Sequence, residues 1–139
     1  ALTAPGEGRI SSRQASGTRG GWLRLTEHRA IALAGNVNHL DDLSALITVN
    51  EGSTVSRTVL KAEGVRLVLF SFDTGEELSE HTAAMPVLLQ VLDGELEISA
   101  DGQTVTLKPG GVIHLPTRMA HSVLALEPSR MLLTMLDPR

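Results

Sequence analysis

The sequence predicts an all-β fold, a sandwich or small barrel built from many short strands. From Ser56 onward, short apolar runs rich in Val, Leu and Ile are divided by Gly, Pro and Asp. No helical period interrupts these runs, and strands at close spacing without a helix between them are typical of sandwiches and barrels. Asp101-Gly102 stands between two alternating segments and is a strong signal for a two-residue hairpin.

The chain of 139 residues suits one domain and is long enough to bury a core. Residues 1–20, "ALTAPGEGRISSRQASGTRG", are rich in Gly, Ser, Thr and Arg and have no apolar period. This composition predicts a flexible N-terminal tail.

Residues 21–55 are expected to pack on the barrel or on a partner subunit. "WLRLTEHRAIALAG" (22–35) alternates in part and predicts two short strands. "NHLDDLSALITV" (38–49) has apolar residues at helical spacing after Asp41 and Asp42, either of which can serve as an N-cap. The second segment therefore predicts a short helix.

Residues 56–139 carry the predicted barrel. The predicted strands, in chain order, lie in "SRTVLKA", "VRLVLFSF", "ELSEHT", "PVLLQVL", "ELEISA", "QTVTL", "VIHLP", "HSVLAL" and "RMLLTML". The segments 65–72 and 86–92 are apolar on both faces, so the outer face of the barrel must also pack against something, such as a second sheet or a subunit. Together with the N-terminal segment, these outer faces lead us to expect a homodimer.

Composition excludes several classes of function. The net charge is −4 without a basic run, which argues against nucleic acid. The absence of cysteine excludes disulfides, thiolate metal sites and a cysteine nucleophile. Aromatic residues are Trp22, Phe70 and Phe72 alone, too few for stacking on bases or sugars. A ligand pocket would therefore be lined by Leu, Val, Ile and Met.

The sequence also bears on location. It contains no apolar run long enough for a transmembrane helix, which predicts a protein without a membrane partner. No N-terminal stretch has the charged-then-apolar order of a signal peptide, so we expect a cytoplasmic protein.

Two motifs in the second half of the chain resemble those of the cupin superfamily. The matching positions of the two motifs, in order, are Gly75, His81 and Gly94, then Gly110, Pro116 and His121. The connecting segment "DGQTVTLKPGGVIHLP" is similar too, with a DG hairpin, a PG turn and an apolar strand that ends in proline. The resemblance covers roughly residues 56–136. It implies a single RmlC-like jelly-roll β-barrel.

The resemblance also implies a metal site, of which this chain keeps half. In metal-binding cupins the first motif supplies two histidines and a glutamate, and the second motif supplies one histidine. Carried over by position, the first and last histidines are His81 and His121, whereas Ala83 and Val87 stand at the other two ligand positions. The chain is thus similar to a small single-domain cupin with a degenerate metal motif.

A divalent ion such as Zn, Mn, Fe or Ni would need a third ligand. Strand alternation predicts that Glu77 and Ser79 face inward with His81, so Glu77 is one candidate. His114, in "VIHLP", is the other, although an interpretation as a hydrogen-bonded core or interface histidine is favoured for it. The interior predicted this way is mostly apolar, with Glu77, Ser79, His81 and His121 as its polar members.

A role for the histidine pair without a metal is equally open. Two imidazoles in an apolar barrel suit a carboxylate or phenolate ligand, or one of them can act as a general base near its ordinary pKa of about 6.5. Met85 and Met119 flank the pair, and methionine adapts well to irregular apolar ligands. Arg118 replaces the usual glycine of the second motif, where it can attract an anion to the barrel mouth.

Three functions follow from these residues. The first is a sensory or otherwise non-enzymatic cupin that binds a small, largely apolar molecule at His81, His121, Met85, Met119 and Arg118. The second is a metal-dependent oxygenase or isomerase of the cupin type. The third is a structural homodimer without an active site.

Overall fold

Nine β-strands and one turn of 3₁₀-helix form within residues 37–137, the part of the chain that the computed structural model describes. The 3₁₀-helix spans Leu43–Leu46. The strands are β1 (Thr54–Ala62), β2 (Val65–Phe72), β3 (Glu77–His81), β4 (Val87–Asp93), β5 (Leu96–Ala100), β6 (Gln103–Leu107), β7 (Val112–Leu115), β8 (His121–Ala125) and β9 (Ser129–Leu136). The predicted tail and the two strands predicted over 22–35 lie outside the described residues.

The strands form two antiparallel sheets that face each other. The larger sheet has the order β1-β2-β9-β4-β7, and the smaller has the order β3-β8-β5-β6. Short connections link β2 to β3, β4 to β5, β6 to β7 and β8 to β9, each time from one sheet to the other. This arrangement is a jelly-roll barrel, and the predicted all-β fold is confirmed.

Alternation along the strands fills the barrel interior with apolar side chains. On β4, Val87, Leu89 and Val91 are buried, whereas Gln90 between them is exposed. On β8, Val123 and Ala125 are buried on the same face as His121. These side chains belong to one cluster, which also takes in the inward residues of β2, β5 and β9.

A second apolar cluster lies on the outer face of the larger sheet. It consists of Ile47, Val59, Leu69 and Leu132, with partly buried neighbours at Leu40, Leu43, Leu46, Val55, Leu67 and Leu92. The predicted two-faced burial of 65–72 is explained by this cluster. The cover over this face of β2 comes from the chain itself, from the segment that holds the 3₁₀-helix.

Hydrogen bonds fix this covering segment to the sheet. Arg130 Nε donates to the carbonyl oxygen of Ile47 at 2.9 Å, and Ser71 Oγ donates to that of Thr48 at 2.9 Å. The predicted helix over 38–49 is limited to the single 3₁₀ turn. Asp42 occupies its N-cap position without a side-chain capping bond in the described structure, and the extended backbone beyond it lies on the sheet.

Two turns have glycines at positive φ angles. Asp101 and Gly102 have φ angles of 52° and 73°, which suits the type I′ hairpin turn expected there. Gly94, between β4 and β5, has a φ of 88°, and a Cβ at this position would collide with Ser129 Oγ and the carbonyl oxygen of Pro128.

Between residues 37 and 137 the chain forms no helix of the length and apolarity that crossing a membrane requires.

Candidate functional site

The two motif histidines meet inside the barrel. His81 ends β3, His121 begins β8, and the two residues lie directly opposite each other in the pairing of these strands. Their ring centroids are 4.3 Å apart, with the ring planes inclined at 61°. The structure therefore brings together the two imidazoles that the sequence placed at ligand positions.

A bulge in β3 produces this meeting and corrects one prediction. The pairing with β8 shifts between Leu78 and His81, so one extra residue separates them. Leu78 is consequently buried in the core while His81 also faces inward. The prediction that Glu77 and Ser79 face inward was wrong, because both are exposed on the opposite side of the strand.

The protonation of both rings follows from their hydrogen bonds. His81 Nδ1 lies 2.6 Å from the carbonyl oxygen of Ser79, and His121 Nδ1 lies 2.9 Å from that of Met119. A carbonyl oxygen only accepts, so each Nδ1 carries the hydrogen. In the neutral ring each Nε2 is then left with an unprotonated lone pair.

His81 Nε2 is buried and has no hydrogen-bond partner within the described residues. Burial lowers the pKa of His81 below its ordinary value of 6.5. The bond to the Ser79 carbonyl opposes this shift, and charge on His121 adds to it. The neutral form of His81, with its Nε2 lone pair available, is therefore the form this site favours at neutral pH.

The divalent metal implied by the resemblance does not fit the side chains that the structure places here. Ala83 and Val87, at the other two ligand positions, are only 6% and 1% exposed and have no coordinating atom in their side chains. Across residues 37–137 no group of three or more His, Cys, Asp or Glu side chains is placed to hold a metal ion. Two imidazoles fall short of the three protein ligands usual for such ions.

Neither candidate third ligand joins the pair. His114 is exposed on β7, opposite Leu88 of β4, while its neighbour Leu115 is the buried residue. Glu77 is exposed on β3. Both side chains point away from the interior because strand alternation, with the bulge in β3, assigns them to the outer faces.

The loops next to the pair carry the remaining predicted site residues. Met85 and Met119 are partly buried and pack against the interior core. Arg118 is exposed, has a φ of 62°, and donates its backbone N–H to the carbonyl oxygen of Ala83 at 2.9 Å. The left-handed conformation explains why a glycine suits this position in the motif. The next residue, Met119, accepts a hydrogen bond from His121 Nδ1 through its carbonyl oxygen.

Sequence reasoning missed two polar residues of the interior. Thr54 and Ser56 are 0% and 1% exposed and lie opposite Phe72 and Phe70 on the inward face of β1. Neither hydroxyl oxygen has a hydrogen-bond partner in the described part of the chain. Hydroxyl residues at alternate positions in "TVSRT" were the available signal.

Comparisons with known proteins agree with this architecture. A sequence model of the cupin domain matches residues 68–136. A protein of unknown function from Streptococcus pyogenes superimposes with a TM-score of 0.67 at 27% identity, over 79% of this chain and 98% of its own. A cupin superfamily protein from Desulfitobacterium hafniense does so with a TM-score of 0.65 at 29% identity, over 73% of this chain and 93% of its own. A search among curated proteins found no match.

The fold and the two motifs define a cupin barrel, and the chain belongs to the cupin superfamily. A cupin 2 conserved barrel domain protein from Leptotrichia buccalis is 30% identical, with a TM-score of 0.62 over 68% of this chain and 46% of its own. The domain match and these structures together support the family, and they do not distinguish binding from catalysis.

Proposed function

We propose that the barrel binds a small, largely apolar molecule through a hydrogen-bond donor on that molecule, in a sensory or otherwise non-enzymatic role. The observation that carries this proposal is the Nε2 atom of His81, which is buried and has no partner within residues 37–137. A buried polar atom left in that condition costs about 1–3 kcal/mol, and a ligand that supplies its hydrogen bond recovers part of this cost.

The tautomer determines which polar group the ligand carries. Both Nδ1 atoms are committed to backbone carbonyls, so the neutral pair presents acceptors to the interior. An alcohol, phenol or enol O–H satisfies His81 directly. A carboxylate requires His81 to be protonated, which burial of the ring opposes. Hydroxyl compounds are therefore favoured over the carboxylate or phenolate considered from sequence.

The surroundings of the pair favour an apolar body on the ligand. Ala83 and Val87 are apolar side chains where metal-binding cupins have ligands, and Met85 and Met119 pack beside them on the interior core. These side chains offer dispersion contacts and no competing hydrogen bonds. Arg118 stands exposed beside them and is the cation available to a ligand that also bears negative charge.

The metal-dependent enzyme is the weaker proposal, because no group of three or more His, Cys, Asp or Glu side chains within residues 37–137 is placed to hold a metal ion. Dimer formation and a cytoplasmic location stay predictions, and neither is needed for binding in the barrel.

Phenol and anisole test the proposal, because the two molecules have similar rings and only phenol carries an O–H. Calorimetric titration should show that phenol binds the full chain about tenfold more tightly than anisole, as expected for one buried hydrogen bond. His81→Phe should abolish this preference, and the matched control His114→Phe, on the exposed face, should keep it. Equal affinities for the two probes, or no binding of either, would overturn the proposal.

A further inference from the structure

The topology places β1 beside the strand that carries His81. The short connections stack β2 on β3, β9 on β8, β4 on β5 and β7 on β6. The larger sheet has one more strand, β1, which extends past β3 at that edge. We therefore expect the inward face of β1 to lie on the side of the barrel that holds β3.

Buried inward residues of β1 are polar, whereas the described interior is otherwise apolar apart from the histidine pair. Thr54 and Ser56 are fully buried opposite Phe72 and Phe70, and their hydroxyl oxygens have no partner in the range that the structure describes. Among residues 37–137, the other buried hydroxyls have hydrogen-bond partners. Ser71 donates to a backbone carbonyl at 2.9 Å, and Ser129 does so at 2.6 Å. Thr54 and Ser56, on one face of β1, thus differ from these serines in having no hydrogen-bond partner.

Strand direction bears on how these hydroxyls lie relative to the histidine pair. A connection of four residues follows Phe72, so β3 begins at Glu77 near the Phe72 end of β2. Because this connection is short, we expect β3 to run back along β2, whose Phe70 is the residue opposite Ser56. On this arrangement, Ser56 and His81 are expected to face the interior from neighbouring strands of different sheets.

We propose that Thr54 and Ser56 are a second polar anchor of the barrel, so that its ligand carries two oxygen groups on one compact apolar body. This inference rests on the proposed function, in which the first group donates to His81. A hydroxyl side chain both donates and accepts, so the second group is a hydroxyl or a carbonyl. The ligand class is a small diol or hydroxycarbonyl compound.

The variants for the test distinguish a ligand anchor from a structural role. Ser56→Ala and Thr54→Val remove the hydroxyls and keep most of the side-chain volume. Since the hydroxyls make no bond within the described structure, the melting temperature of each variant should equal or exceed that of the wild type. Ser71→Ala is the control, because its hydroxyl is bonded on the outer face; it should lower the melting temperature and leave ligand affinity unchanged.

The probes are 4-(hydroxymethyl)phenol and 4-ethylphenol, which have similar shapes and differ in the second oxygen. Calorimetry gives the affinity for the hydroxymethyl compound divided by the affinity for 4-ethylphenol. This ratio should be about fivefold or more higher in the wild type than in Ser56→Ala or Thr54→Val. If both probes bind and the ratio is the same in all proteins, or if the variants melt at lower temperature, the second anchor is refuted while the histidine site stands. If neither probe binds the wild type, the proposed function itself fails and the second anchor with it.

Discussion

Substitution of Gly94 tests how the turn between β4 and β5 holds the two sheets together. Gly94→Ala places an L side chain at a φ of 88°, where the backbone strain is about 1–2 kcal/mol. The new Cβ also displaces Ser129 Oγ, which accepts from the Glu95 N–H at 3.0 Å and donates to the Glu127 carbonyl at 2.6 Å. Loss of these partly buried bonds adds about 1–3 kcal/mol, so the free energy of unfolding should fall by about 2–5 kcal/mol.

Gly75→Ala is the matched control for this prediction. Gly75 has a similar φ of 82°, but a Cβ there meets no atom of the described structure within 4 Å. Urea unfolding of both variants should therefore show a loss of about 1–2 kcal/mol for Gly75→Ala and a clearly larger loss for Gly94→Ala. Equal losses would show that the contact with Ser129 is unimportant and refute the reasoning.

Three further predictions concern the site. Ala83→His combined with Val87→Glu restores the family's ligand set and should bind Ni²⁺ by calorimetry much more tightly than the wild type; equal affinities would contradict the conclusion that the present side chains do not fit a metal. Arg118→Gly relieves a φ of 62° and should raise the free energy of unfolding by about 0.5–1 kcal/mol in urea, a gain that a lower unfolding midpoint would disprove. Because the pKa of His81 is lowered from 6.5 in the folded state, the unfolded state binds more protons just below that pH, so stability should be full above it and decline as the solution becomes more acidic. His81→Phe should flatten this decline in melts recorded from about pH 5 to about pH 8, and an unchanged slope would argue against a lowered pKa.

The barrel was predictable because its strands obey local rules. The Asp101-Gly102 turn and the alternation on β4 and β8 are each determined by a few neighbouring residues. The two motif positions of His81 and His121 also met as expected. The sequence left open what covers the outer face of β2, since the apolar pattern of a strand does not say whether a subunit, a sheet or the chain's own segment packs on it. The structure places part of the segment 21–55, expected on the barrel or on a partner, over this face.

The site was predictable only in part, because the alternation of side chains along a strand does not reveal a bulge. One extra residue between Leu78 and His81 reversed the faces assigned to Glu77 and Ser79 and removed Glu77 as a ligand. The hydroxyls on β1 were missed for a different reason. Thr and Ser are ordinary on strand surfaces, and only the topology shows that these positions face the barrel interior.

The most direct test of the account is the protonation of the two imidazoles, read from ¹⁵N–¹H correlation spectra of the histidine rings near neutral pH. We predict that Nδ1 of both His81 and His121 carries the hydrogen, that Nε2 of His81 is unprotonated, and that phenol shifts the Nε2 resonance of His81 while anisole does not. A hydrogen on Nε2 of the neutral His81 ring would contradict it, because the barrel would then present a donor to its ligand instead of an acceptor.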